Sequence, residues 1–279
     1  MVKKRSVGGR IIEILAVIIT CFTHWLVYYF VIVNAMKSNI EASELSLNLP
    51  SAVEFWENLK YVVTYRDYAI IGAFWNSFRV TLFTMLLIVI VASMSAFFLA
   101  RRKNSRISKM SDGLIVAFLT IPASVVPTYY MLSLLHINNT LLGLILVETA
   151  TLFPFCTMMY KNFVYSIPRE IDEAAILDGC GWFRLFWRIE FPILKPVTAS
   201  ILVLRSIIVF NDFQNAQYYL SGATSSTMQM CVYIFKSAFG TKWAYLFTAA
   251  ILASIPLIVM YLLFNKQILK GMTTGAVKG

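Results

Sequence analysis

Six apolar runs divide this chain, and most of its polar residues fall between them. The runs cover 11–33, about 72–100, 113–134, 141–164, 195–213 and 245–265. Each is close to the ~20 residues a helix needs to cross a hydrocarbon core of about 30 Å. Backbone in lipid must satisfy its own N–H and C=O groups, and a helix does this within one segment. The pattern predicts an all-α membrane protein with six transmembrane helices. The first run follows Lys3, Lys4, Arg5 and Arg10, as a signal peptide would. It is too long for an h-region and lacks a small-x-small cleavage site, so it reads as a retained first helix.

The connections set the orientation. Arg101, Arg102, Lys103, Arg106 and Lys109 lie between runs two and three, and Lys161, Arg169, Arg184, Arg188 and Lys195 flank or occupy the stretch between runs four and five. Lys266, Lys270 and Lys278 lie in the tail. With the N-terminal four they fall on one side of a six-span scheme, and the positive-inside bias makes that side the cytoplasm. The N and C termini are both expected there. The outer loop, 34–70, carries Glu41, Glu44, Glu54, Glu57 and Asp67 against Lys37, Lys60 and Arg66. Ser51-Ala-Val-Glu54 has the form of a capping box, and Phe55, Leu59 and Val62 repeat at helical spacing, so a short amphipathic outer helix is expected. No repeat or linker divides residues 1–279, which read as a single membrane domain: first helix 11–33, outer loop 34–70, core 72–266 and tail 267–279.

The polar stretch 166–192 departs from this apolar plan. Ser166 is placed to cap a helix, with Pro168 in the first turn, and Glu170, Asp172 and Glu173 suit the positive end of the helix dipole. Asp178-Gly179 ends that helix. A second helix, from about Trp182 to Glu190, should stop at Pro192, and Pro196 opens the next span. Ala174 and Ala175 lack bulk, so another protein surface can approach the backbone there. Trp182, Phe183, Leu185, Phe186 and Trp187 should bury against the spans or sit at the membrane interface. The helix–turn–helix reads as a mechanical coupler, or more plainly as an interfacial helix anchoring a loop.

Composition agrees with a membrane protein. Apolar residues make up 59% of the chain and charged residues 14%, against roughly 45–50% and about 25% in soluble domains. The net charge of +10 is spent at the ends of apolar runs, which argues against a nucleic-acid surface. Cys21, Cys156, Cys180 and Cys231 show no metal or disulfide spacing. There is no GxxxxGK[ST] phosphate loop, no HExxH and no G-x-S-x-G, so no catalytic site is evident.

Glu173-Ala174-Ala175, then Gly179, then Ile189-Glu190-Phe191-Pro192 resembles the signature loop of bacterial ABC importer permeases, with Phe191 where the family has leucine. Asn76-Ser77-Phe78 and the close Gly271–Gly279 are similar to the carbohydrate-uptake branch, in particular to the second subunit of maltose-type permeases. The resemblance implies a type I ABC importer permease fold with a cytoplasmic coupling helix at Glu173, Ala174, Ala175, Asp178 and Gly179. It also implies a non-catalytic transport subunit that works by alternating access. The implied partners are a second permease, two cytoplasmic ATPase subunits that hold the ATP and Mg, and an extracytoplasmic solute-binding protein. No cofactor is expected on this chain. The implied cargo is a sugar or oligosaccharide, and residues 271–279 are implied to reach the ATPase pair. A non-sugar solute on the same architecture stands as an alternative. An ion-coupled secondary transporter is a further one, although neither an ion site nor an internal repeat is evident.

Charged groups at membrane depth cost at least ~2.5–3.5 kcal/mol on insertion scales and call for a role. Arg205 lies within run five and Glu148 within run four. They either line the translocation pathway or form a structural ion pair. Asn211, Asp212, Phe213, Gln214 and Asn215, at the outer end of run five, offer the amide, carboxylate and aromatic groups that hold sugars. They serve equally well to finish a helix. His24 reads as a satisfied or cavity-facing histidine, and Pro122, Pro127 and Pro154 as kinks in runs three and four.

Overall fold

The computed structural model describes residues 7–102, 105–121, 124–220, 225–236 and 240–276, with side chains from 13 to 263. Lys3, Lys4, Arg5, Lys103, Pro122 and the side chains of Arg10 and the tail lie outside the described residues. Among those described, every regular element is helical. In order these are α1 Val7–Ala35, α2 Asn39–Ala42, α3 Phe55–Arg101, α4 Arg106–Thr120, α5 Val125–Leu134, α6 Leu141–Val164, α7 Glu170–Leu177 and α8 Trp182–Leu185. A π-turn at Phe186–Glu190 leads to α9 Phe191–Ile193, α10 Lys195–Asn211, α11 Gln214–Tyr219, α12 Met228–Ile234 and α13 Trp243–Ala276. Among the described residues, four stretches are long and apolar enough to cross a membrane: Glu13–Ala35, Phe55–Arg101, Leu141–Val164 and Trp243–Leu263. Two broken pairs, α4 with α5 and Trp182–Ile193 with α10, raise the number to as many as six.

The chain forms two compact units, residues 1–70 with 231–255 and residues 71–230 with 256–279. In the first, α1 is exposed along most of its length, as expected of a helix apolar on every face. Its C-terminal end is tied by Phe30 edge-on to Phe247 at 5.4 Å. Asn58 Nδ2 donates to the carbonyls of Ala35 and Lys37 at 3.0 and 2.9 Å. The outer helix is present, with Val62 buried and Phe55 and Leu59 half-buried. Ser51 does not cap it, because its N–H and hydroxyl donate instead to the Glu41 carboxylate. Lys37, placed by sequence among the loop charges, is fully buried and donates to Ser46 O and Oγ, both at 2.9 Å. Arg66, Asp67 and Tyr68 adopt left-handed φ values of 47°, 53° and 62°, which separate the outer helix from the span that follows within α3. Each costs about 1–2 kcal/mol.

The second unit holds the larger core. Along α3, Val80, Ile88, Ala92, Ala96 and Phe97 are buried, and they share one apolar cluster with Leu144, Leu152, Cys156 and Tyr160 of α6 and Val197 and Ile201 of α10. Thr140 caps α6 by accepting from Gly143 N at 3.1 Å. A Cβ on Gly143 would collide with the Ile137 carbonyl, so the capped turn requires glycine. Despite Pro154, α6 runs unbroken from Leu141 to Val164. Tyr160 OH donates to Thr198 Oγ1 at 3.0 Å, joining α6 to α10, and Lys161 pairs with Asp112 of α4. Asn76 and Ser77, both buried, fix the chain before α12: Asn76 Nδ2 donates to Ser226 O at 3.1 Å, and Ser77 Oγ accepts from Met228 N at 2.8 Å.

Candidate functional site

The polar stretch folds as helix, tight turn and second helix, though its ends differ from expectation. Ser166 does not begin α7, because its hydroxyl donates to Phe163 O and closes α6. The helix starts at Glu170, after Arg169. Its far end is as the sequence requires. Gly179 has φ +78°, Gly179 N donates to Ile176 O at 3.0 Å and Cys180 N to Ala175 O at 2.9 Å. This is the two-bond Schellman closure, for which glycine alone is unstrained. The second helix does not stop at Pro192. It widens into the π-turn over Phe186–Glu190, continues through α9 and bends by 70° into α10. Pro192 and Pro196 lack the N–H that a regular ladder would use at this bend.

The three acids of the first turn of α7 do not share one environment. Glu170 and Glu173 are exposed, whereas Asp172 is buried and faces inward. There it meets Arg101, the last residue of α3. Arg101 Nε lies 2.6 Å from Asp172 Oδ2, Nη2 donates to Glu190 Oε1 at 2.6 Å, and Nη1 donates to Ile167 O at 3.2 Å. The side chains of Arg101, Asp172 and Glu190 are only 6%, 9% and 0% exposed. Burial first, then a hydrogen bond with Asp172, pushes the Glu190 carboxyl up to about 7, against the pull of Arg101. Glu190 Oε2 is buried and accepts no hydrogen bond. One guanidinium thus serves two buried carboxylates.

The opposite face of the segment is open. Ala174 is exposed with Glu173, Asp178 and Gly179, while Ala175 is buried. Of the small pair, only Ala174 offers close approach from outside. Leu177 is 88% and Phe183 71% exposed, and Ile176 and Trp182 are also exposed. Leu185 and Phe186 carry the inward packing instead.

At membrane depth Glu148 and Arg205 do not pair, so the ion-pair alternative is not realised. Arg205 lies over the Phe155 ring at 3.8 Å, and Glu148 Oε1 accepts from Asn215 Nδ2 at 2.9 Å. The α6–α10 interface sends the two charges to different neighbours, which matching depth in a linear scheme does not reveal. Asp212 accepts from Gln214 N and Asn215 N at 2.9 and 3.2 Å and so starts α11, and its side chain also reaches Glu148. Asn211 Oδ1 accepts from Gln229 Nε2 at 2.8 Å. Gln214 is exposed and Phe213 half-buried. The structure therefore gathers Glu148, Asp212 and Asn215, and leaves Arg205, Asn211, Phe213 and Gln214 outside that group. His24 Nδ1 lies 2.7 Å from Thr20 O, a local contact along α1. Among the described residues, no group of His, Cys, Asp and Glu is arranged to hold a metal.

Sequence reasoning missed Arg101 and Glu190 as partners, and did not join Asn215 to Glu148. Arg101 looked like one of several topology charges, and nothing local distinguished it from Arg102.

Comparison with known proteins gives the class. Residues 88–274 match the family of binding-protein-dependent transport system inner membrane components, and the chain belongs to that family. It is a multi-pass inner-membrane permease of the ABC transporter class. The melibiose/raffinose/stachyose import permease protein MelC of Bacillus subtilis is 30% identical over 99% of both chains. The diacetylchitobiose uptake system permease protein DasC of Streptomyces coelicolor is 26% identical over 99% of this chain and 100% of its own. The fold matches a chain in the crystal structure of a bacterial ABC transporter that imports the acidic polysaccharide alginate, with a TM-score of 0.80 and 18% identity over 95% of this chain and 99% of that one.

Proposed function

We propose that this chain is one of two permease subunits of an ATP-driven importer for an oligosaccharide. In this reading it crosses the membrane six times with both termini in the cytoplasm. The broken pair α4–α5 counts as one span, and α10 forms another. The α7–α8 segment is the coupling element that docks on a separate ATPase, and an external binding protein delivers the sugar.

The observation that carries the reading is the two-sided character of α7–α8. Exposed Leu177, Phe183 and Ile176 form an apolar patch beside Glu173 and Ala174, outside any span. Surfaces of this kind mark a partner. The opposite side is tied by ion pairs to the end of α3. A segment that receives a partner on one face and grips a span with the other can pass movement between them. In this reading Glu148, Asp212 and Asn215 are the polar group beside the pathway. The oligosaccharide cargo rests on full-length relatives whose names specify melibiose, raffinose, stachyose and diacetylchitobiose. ATP and Mg belong to the ATPase partners.

The test is mild-detergent purification from the native membrane with identification of every accompanying chain. ATP hydrolysis is then assayed with the binding protein and a panel of oligosaccharides including raffinose. A second permease, an ATPase and sugar-stimulated hydrolysis are expected. A lone chain that drives uptake without ATP overturns the reading.

A further inference from the structure

The end of α3 grips the whole α7–α8 segment through one side chain. Arg101 reaches the carbonyl of Ile167 at the entry to α7, Asp172 in its first turn, and Glu190 at the last position of the π-turn. These partners are 66, 71 and 89 residues distant in sequence. Aromatic packing surrounds the ionic contact. Phe97 lies 5.5 Å from Phe186 and 6.1 Å from Trp182, and Arg102 stands over Phe98 and Trp182 at 5.3 and 6.0 Å. Both helices of the segment are thereby held to the last turn of α3, while the outward residues Glu173, Ala174 and Leu177 are exposed.

We propose that Arg101 is the positioning residue that locks residues 167–190 to the end of α3, so that displacement of the exposed α7 face moves this span as one body with the segment. The guanidinium suits this role because its donors are fixed in a plane and point in several directions at once. A lysine in the same place is a single point charge and can satisfy only part of the set. Replacing a buried ion cluster by apolar side chains often leaves stability unchanged, so stability alone does not account for the arrangement. What the charged form adds here is a directional link of three contacts between one span and both ends of the segment. The source of the displacement rests on the proposed function, in which an ATPase moves α7.

The link is testable on the full-length chain alone in lipid nanodiscs. The four native cysteines are replaced by alanine, and spin labels are placed at Val91→Cys on α3 and Leu177→Cys on α7, both exposed positions. With Arg101 present, a single narrow distance peak is expected. The neutral triple variant Arg101→Met, Asp172→Asn, Glu190→Gln removes the link without leaving any charge unpaired. The narrow peak is expected to be lost while the melting temperature of the chain is unchanged. A peak as narrow as the parent's overturns the proposal, because charge balance would then be all that Arg101 supplies. If the triple variant does not fold, Arg101→Lys decides: a broadened peak supports the link and an unchanged one overturns it. The proposed function fails on a different result, the absence of an ATPase from the purified assembly, and this distance does not depend on it.

Discussion

Glu190 makes the α7–α8 segment sensitive to pH, and the effect can be worked through. Its carboxyl titrates from an ordinary 4.5 when unfolded and at about 7 when folded. A raised folded value means that the folded state holds the proton more tightly. The resulting stability is fully present below pH 4.5 and lost as pH rises through 7. At about 1.4 kcal/mol per unit, this amounts to roughly 2–3 kcal/mol between pH 5 and pH 8. The loss has a structural cause: above neutrality, ionised Glu190 and Asp172 face one guanidinium in a buried site. Glu190→Gln keeps an acceptor for Arg101 and supplies a permanent donor toward Asp172. Amide exchange of residues 170–177 in the full chain, corrected for intrinsic exchange, should show protection falling from pH 5 to pH 8 in the parent. In the variant it should stay flat, so that the variant is the more protected at pH 8. An unchanged slope in Glu190→Gln would refute the reasoning, since the titrating group would then lie elsewhere.

Other consequences follow from the same geometry. Gly179→Ala meets no neighbouring atom but must hold φ +78°, so about 1–2 kcal/mol of backbone strain should loosen the α7–α8 turn and reduce ATPase co-purification. Leu177→Asp and Phe183→Asp alter exposed positions; the isolated chain should keep its stability to within ~0.5 kcal/mol, while capture of the proposed ATPase partner falls. Asn215→Ala strips Glu148 of its amide donor and should cost ~1–3 kcal/mol, seen as a lower thermal midpoint of the purified chain. Gly143→Ala drives a Cβ into the Ile137 carbonyl and should destabilise the start of α6, seen as faster amide exchange at residues 141–147.

The asymmetry of α7 bears on how its signature residues divide the work. Glu173, Ala174 and Gly179 face outward or form the turn, so substitution there should act through the proposed ATPase partner. Ala175 and Asp172 face the bundle, so substitution there should act on the chain itself. The two classes are separable by whether the purified chain alone changes.

The sequence alone carried the helical class, the apolar runs, the extent of α6 and the C-terminal end of α7. Asp178 and Gly179 act on neighbours within a few residues, and such local chemistry is written in linear order. The run 141–164 coincides with α6, and Asp178-Gly179 closes α7 through bonds no longer than one helical turn. What sequence could not supply was which charge meets which. Arg101 resembled the basic residues that mark topology, Asp172 resembled a dipole-friendly first-turn acid, and Glu190 was one letter inside a loop motif. Glu148 and Arg205 seemed matched in depth, yet packing gives one to Asn215 and the other to Phe155. Ser51 and Ser166 fitted capping patterns, yet each bonds outside the turn it was expected to start. These outcomes depend on how α3, α6, α7 and α10 rotate against one another. Only the tertiary structure decides that rotation, because contacts between residues 66 to 89 positions apart leave no local trace in the chain.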